Sequence, residues 1–280
     1  MVKKSINHRM IPFVKAHACG NDFLILEESL AQSGTRSNHA ALARKLCART
    51  TSVGADGIEF LDRRANGELF LRLFNADGSE AELSGNGTRC VAAWLALSEG
   101  RAHVTLGTHG GPRASAVLED NRPTFLIESE MGTPRVMPRS IELPHIGVLQ
   151  GAMVNVGNPH FVLFVETEDF SVYGRAWQQI GALISTSPLF AHGTNVEFVR
   201  VVSRDEIAFR IYERGCGPTT SSGTGTCASS AAAMALRGTA RALTAVAEGG
   251  MQRTVWPASN AVMCLTGPAE IVCTGEVYPL

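Results

Sequence analysis

The sequence predicts an α+β protein made of two similar halves, and three observations carry that reading. Short strand-like runs separated by turn residues recur along the whole chain with few helical stretches among them, and they lack the regular strand–helix–strand alternation of a parallel α/β sheet. One short loop occurs twice, half a chain apart: Ser84-Gly85-Asn86-Gly87-Thr88-Arg89-Cys90 and Ser222-Gly223-Thr224-Gly225-Thr226-Cys227. The chain has 280 residues, 45% of them hydrophobic and 18% charged, enough apolar material for a core and too little charge for disorder.

In chain order, residues 1–9 form a basic extension with no apolar signal region behind it, and Met10 precedes the first strand. Strand-like runs follow at 13–15 and 23–26. The stretch 39–49 has helical periodicity, with Leu42, Leu46 and Cys47 on one face. Runs at 58–61 and 69–74 flank Asn66-Gly67, a hairpin turn signal. A helix follows Gly87, then strands at 104–106, 114–118 and 124–127. The proline-rich stretch 132–144, with Pro134, Pro138 and Pro144, reads as a crossing between halves. The second half continues with strands at 152–156, 161–165, 196–202 and 207–212 and a helix at 173–184. A small-residue helix at 228–236 ends at Gly238, where a glycine can take the left-handed conformation that stops a helix.

Composition excludes several classes of function. A net charge of −1 gives no general attraction to nucleic acid or anionic membrane, and no apolar run approaches the ~20 residues needed to span a bilayer. A cytoplasmic protein acting on a small molecule is expected. The seven cysteines are odd in number and none are in C-x-x-C spacing, which argues against a disulfide framework or a zinc site. Lysine occurs only at Lys3, Lys4, Lys15 and Lys45, three of them near the terminus and one on an expected surface helix. A pyridoxal phosphate enzyme needs a Schiff-base lysine in a formed site, so no such cofactor is expected.

The repeated loop carries the chemistry. Each copy follows a strand-like run and precedes a helix of small apolar residues. Free N–H groups and the helix dipole make such an N-terminus a site for a carboxylate, and glycine lets the backbone approach it. The lysine that a phosphate loop places after its last glycine is replaced by Thr88 and Thr226, and neither loop sits in a βαβ unit. The bland alternative is two unrelated glycine turns, each with a serine capping its helix.

With these loops stand Lys15-Ala16-His17-Ala18-Cys19-Gly20-Asn21-Asp22-Phe23, Gly54-Ala55-Asp56-Gly57, Phe74-Asn75-Ala76-Asp77-Gly78-Ser79-Glu80, Gly157-Asn158-Pro159-His160, Gly193-Thr194-Asn195 and Tyr212-Glu213-Arg214-Gly215. In this order they resemble the diaminopimelate epimerase-like family of cofactor-independent amino-acid racemases over nearly all of 10–280. The resemblance implies two pseudo-symmetric domains, each a curved β-sheet around a central helix, with the ligand in the cleft between them. The first domain would comprise 10–122 plus a swapped finish, 268–280, and the second 123–267. It implies proton removal from one face of an α-carbon and return to the other, with no cofactor and no metal, as in the interconversion of LL- and meso-diaminopimelate, and a homodimer. By position, Asn21, Asn75, Asn158, Asn195, Glu213 and Arg214 become the substrate-binding set, Gly85-Asn86 and Gly223-Thr224 the holders of the reacting carboxylate, and His160 a supporting residue.

Ser84 and Ser222 fall where the family's active epimerases have their two catalytic cysteines. A thiol has a reference pKa near 8.5 and is easily lowered at a helix N-terminus, whereas a serine hydroxyl needs an adjacent base. No base is evident beside either serine in the sequence, although Asp77, Glu80 and Glu82 closely precede Ser84. Cys90 and Cys227 should lie in the core, and Cys216 has no counterpart before Ser84. Three readings stand together: an epimerase with both cysteines replaced by design, a natural relative that still moves α-protons or acts on another amino acid, and an amino-acid-binding relative that does not epimerise.

Overall fold

The computed structural model describes residues 10–31 and 38–278. The expected extension at 1–9 lies outside them, as do the last two residues of the expected swapped finish. The first half begins with the antiparallel strands β1 (Ile11–Ala18) and β2 (Asn21–Glu27). Two helices follow, α1 (Glu28–Ala31) and α2 (His39–Leu46). Next come β3 (Gly57–Arg63), β4 (Leu69–Asn75), β5 (Glu80–Ala81), the long helix α3 (Gly85–Glu99), β6 (His103–Gly107), β7 (Arg113–Asn121) and β8 (Thr124–Glu130). The second half comprises β9 (Arg135–Leu143), β10 (Gly147–Asn155), β11 (Pro159–Phe164), α4 (Trp177–Ser185), β12 (Asn195–Val201), β13 (Glu206–Glu213), β14 (Gly217–Thr219), α5 (Gly223–Leu236), β15 (Ala242–Ala247), β16 (Gly250–Val255) and β17 (Cys264–Val277).

The halves share one plan. β2 runs parallel to β3, β3 antiparallel to β4, and β4 parallel to β6; β11, β12, β13 and β15 repeat those relations in order. The first sheet closes on itself, because β17 pairs with both β8 and β1. The start of β17 also pairs with β16, so one strand belongs to both sheets. β8, which begins one residue after the expected start of the second domain, pairs with β7 and packs Phe125 and Ile127 into the core around α3.

Each sheet curls round one helix. α3 buries Val91, Ala92, Ala93 and Leu95 and α5 buries Cys227, Ala228 and Ala231 to Ala233. A helix that is small and apolar on all sides can sit at the centre of a sheet, where a larger side chain would hold the strands off. Cys90 and Cys227 are both in these cores, as expected, and burial pushes the Cys227 thiol up to about 12. The outer faces are covered by α2 and α4, which is why β2, β3, β11 and β12 are nearly continuously buried instead of alternating. α3 stops at Gly100 (φ 67°) and α5 just before Gly238 (φ 67°).

Two sequence expectations need correction. The stretch 132–144 is largely the strand β9, with Ile141 and Leu143 buried. Its proline is tolerated because β9 pairs only with β10, so Pro138, opposite Ala152, lies on an edge where a missing N–H costs nothing. The helix expected at 173–184 starts at Trp177, because Tyr173 and Gly174 have positive φ (49° and 72°) and form a turn.

Candidate active site

α3 and α5 meet at their N-termini. A Cβ added to Gly223 would lie 2.8 Å from the Gly85 Cα, and one added to Gly85 would lie 2.9 Å from Met131 Cε. The glycines are therefore required by the approach of the two loops. The junction opens into a cavity of about 700 Å3 between the halves. Ser84, Gly85, Ser222 and Thr224 line its floor; Asn21, Asn75, Asn158, Asn195, Glu213 and Arg214 line its walls. Asn86, Gly223 and His160 stand behind that surface, and the Asn86 and His160 side chains are completely or almost completely buried.

Both serines are helix caps. Each has extended backbone, and Ser84 Oγ accepts from Gly87 N at 3.0 Å as Ser222 Oγ does from Gly225 N at 3.3 Å. Their surroundings differ. Glu213, at the end of β13, takes a 2.5 Å hydrogen bond from Thr219 Oγ1 and has the Ser222 hydroxyl beside it. Burial pushes the Glu213 carboxyl above the usual carboxylate range, against the pull of those two hydroxyls and of His160. A base thus stands next to one serine, which the sequence alone did not reveal. Asn75 holds the matching place at the end of β4, and its amide donates to Ser79 Oγ at 3.0 Å. Asp77 is held by Ser79, and Glu80 by Arg72 at 2.8 Å; these bonds keep both carboxyls below their usual range.

A buried carboxylate backs each loop. Glu197 on β12 shares a 2.6 Å hydrogen bond with His160 Nδ1. His160 Nε2 donates to Asn158 Oδ1 at 2.8 Å, and Asn158 Nδ2 donates to Thr224 Oγ1 at 3.3 Å. This relay runs from the core to the cavity floor, and it fixes the Asn158 amide. Glu59 is the counterpart on β3, in the repeated pattern Ile58-Glu59-Phe60 and Val196-Glu197-Phe198. By register, Phe23 stands where His160 does, since Phe23 pairs with Gly57 as His160 pairs with Asn195. Glu59 is 1% exposed, its Oε1 has no partner among the described residues, and desolvation pushes it up to about 8. Its Oε1 lies against Gly87, where a Cβ would collide with it.

The polar walls are ordered by further contacts. Asn21 Nδ2 donates to Asp56 Oδ2 at 2.7 Å, and Arg49 bridges Asp56 and Asp22 at 2.7 and 2.8 Å. Burial raises the Asp22 carboxyl, but the bonds from Arg49 and Lys15 outweigh it and the net shift is downward. Asn195 Oδ1 accepts from Arg214 N at 2.9 Å and holds the turn after β13. The Arg214 guanidinium gives one bond, to His192 O at 3.2 Å, and forms no ion pair among the described residues. Its remaining donors suit a carboxylate in the cavity. Cys216 lines the same wall, with its thiol pushed up to about 11 by burial and by Glu213.

Of the thirteen site residues expected from sequence, ten line this cavity and Asn86, Gly223 and His160 do not. Asp56, Thr219, Glu59, Glu197 and Arg89 were not foreseen. The doubled Ile/Val-Glu-Phe pattern was the available signal for the two glutamates, and Arg89 lay inside the quoted loop itself.

The diaminopimelate epimerase family model matches residues 13–137 and 152–272. The chain is 36% identical to the diaminopimelate epimerase of Pelotomaculum thermopropionicum over 285 residues, covering 95% of this chain and 98% of the relative. It is 34% identical to diaminopimelate epimerase 1 of a Nostoc species over 286 residues, covering 95% and 99%. Among solved structures, a hydroxyproline epimerase from Agrobacterium vitis with bound trans-4-hydroxy-L-proline superposes with a TM-score of 0.75 at 14% identity, covering 96% of this chain and 91% of that one. A probable proline racemase from Agrobacterium radiobacter with bound carbonate gives 0.72 at 16%, covering 95% and 92%. At those identities the structural likeness speaks for the fold.

Proposed function

Because this chain belongs to the diaminopimelate epimerase family, we propose that its cavity binds diaminopimelate and inverts one α-carbon by moving a proton between the Ser84 and Ser222 sides. The chain is an isomerase of the amino-acid epimerase class. The observation that carries the finer reading is the meeting of two helix N-termini at Gly85 and Gly223 under a polar cavity, with one serine on each helix.

The reacting carboxylate rests on the free N–H groups of α3 and α5. As the α-proton leaves, negative charge spreads into that carboxylate, and the two helix dipoles stabilise it there more than in the ground state. On the α5 side Glu213 is the base: it takes the proton through the Ser222 hydroxyl, whose own proton passes to the carboxylate. On the α3 side the Ser84 hydroxyl relays a proton to the opposite face, taking one in turn from water in the cavity, and Glu213 returns its proton to water, so the proton count closes. Asn75, Asn158 and Asn195 read the amino and carboxyl groups, and Arg214 grips the distal carboxylate. The steps need neither metal nor cofactor. We place the enzyme in the cytoplasm as a homodimer; light scattering of the purified protein tests the second point.

The experiment is incubation with LL-diaminopimelate in deuterium oxide. Deuterium at an α-carbon with formation of the meso isomer is expected, and exchange only with single-headed amino acids would move the substrate to one of those. A second reading, binding without turnover, draws on the capping bonds of both serines and on the lack of a carboxylate partner for Ser84 among the described residues. Tight binding with no deuterium incorporation would establish it.

A further inference from the structure

Arg89 lies on α3, one turn in from Gly85, and is completely buried. Its guanidinium donates to Gly85 O at 3.3 Å and to Asn86 Oδ1 at 2.7 Å, and its Nε has no partner. No carboxylate pairs with it among the described residues. The duplicated loop does not repeat it, since Cys227 occupies the matching place on α5. A guanidinium stays charged under all ordinary conditions, and a buried charge without a counter-ion is costly. Here it is set below two helix N-termini that are themselves electropositive, so three positive sources converge with no anion among the described side chains.

The same charge is wired to the cavity. Asn86 Oδ1 also accepts from Gln252 Nε2 at 3.3 Å, and Gln252 Oε1 accepts from Thr226 Oγ1 on α5 at 2.6 Å. With its oxygen committed to Arg89 and Gln252, Asn86 points Nδ2 at Asn21 Oδ1, 3.1 Å away on the cavity wall. Arg89 therefore orients a polar chain that ends in the cavity and ties both helices to one buried cation.

We propose that Arg89 is a positioning residue whose buried charge fits the α3–α5 junction to a carboxylate and to the further negative charge that carboxylate gains as the α-proton leaves. The proposal rests on the carboxylate placement given above. Its missing counter-ion is the bound anion.

Gly267 on β17 offers a test that leaves Arg89 in place. A Cβ there would lie 3.3 Å from Arg89 Cζ and 3.4 Å from Nε. Gly267→Asp sets a carboxylate against the unpartnered Nε, and Gly267→Asn has the same size without the charge. The probes are sodium acetate, followed by NMR shifts of the Gly85 and Gly223 amides, and meso-diaminopimelate, followed by calorimetry and α-deuterium exchange. The Asp variant should be at least as heat-stable as the Asn variant, yet bind both probes at least roughly tenfold more weakly and exchange at least roughly tenfold more slowly. A purely structural Arg89 would make activity follow stability, so equal affinities in the two variants overturn the proposal. So does an unaltered protein that binds neither probe. Acetate binding that behaves as expected beside no diaminopimelate binding would sink the substrate reading alone. If neither Gly267 variant folds, Arg89→Lys, which keeps the charge, must bind acetate at least tenfold more tightly than Arg89→Gln, which keeps the bond to Asn86. In the unaltered protein the Arg89 Nε resonance must shift on acetate saturation, and a static resonance also overturns the proposal.

Discussion

Glu59 and Glu197 occupy the same place in the two halves, on β3 and β12, behind Gly87 of α3 and Gly225 of α5. Glu197 has His160 and, through it, Asn158 and Thr224; on the Glu59 side Phe23 holds the place of His160, and Glu59 Oε1 has no partner among the described residues. The ends of β13 and β4 differ in the same sense, with Glu213 beside Ser222 and Asn75 turned to Ser79. Duplication kept the framework, meaning the sheet order, the central helix and the glycine loop. The partners of the buried carboxylates differ between the halves.

The largest effect should come from placing a thiol at the head of both loops. Ser84→Cys with Ser222→Cys introduces thiols that a helix N-terminus makes more acidic, and α-proton exchange should rise roughly 10²–10⁴-fold. A double variant that binds diaminopimelate and stays inert would end the epimerase reading.

Glu59 gives the next largest effect, and it concerns stability. Its carboxyl goes from an ordinary 4.5 in the unfolded chain to about 8 in the fold. Between these values the folded state holds a proton that the unfolded state has lost, so stability falls as pH rises through that window and is constant again above it, a loss on the order of 5 kcal/mol. Urea unfolding of Glu59→Gln should show that decline removed. Phe23→His, which copies His160, should shrink it; an unchanged slope in both variants would disprove the assignment.

Glu213→Gln removes the base beside Ser222 and should lower exchange roughly 100-fold, about 2.7 kcal/mol, with a smaller change in diaminopimelate affinity. A loss of affinity with full exchange would make Glu213 a binding group only. Smallest is Gly223→Ala, which crowds Gly85 and should cost about 1–3 kcal/mol in thermal unfolding. Gly67→Ala provides the contrast, since a Cβ there meets nothing and only the positive φ of 85° opposes it.

Much of this molecule was legible as sequence. Strands such as 58–61 and 207–212, the Asn66-Gly67 turn and the Gly238 stop are local, because alternation, turn chemistry and a left-handed glycine act over a few residues. β9 was misread because a proline normally breaks a ladder, and whether Pro138 sits on an edge depends on which strands lie beside it. The candidate site residues were named from the doubled loop and the motifs around it, which name residues without giving their neighbours.

By itself, then, the sequence determined two strand-rich halves, a serine at the head of each central helix and the set of polar residues that serve them. Those follow from short-range rules and from repetition along the chain. Only the tertiary structure decided that Ser222 has Glu213 beside it, that His160 lies behind Asn158, and that among the described residues Ser84 has no such carboxylate and Glu59 and Arg89 are buried without counter-charges. Proton affinity and charge balance depend on distance and burial, and these are set by contacts between residues far apart in the chain.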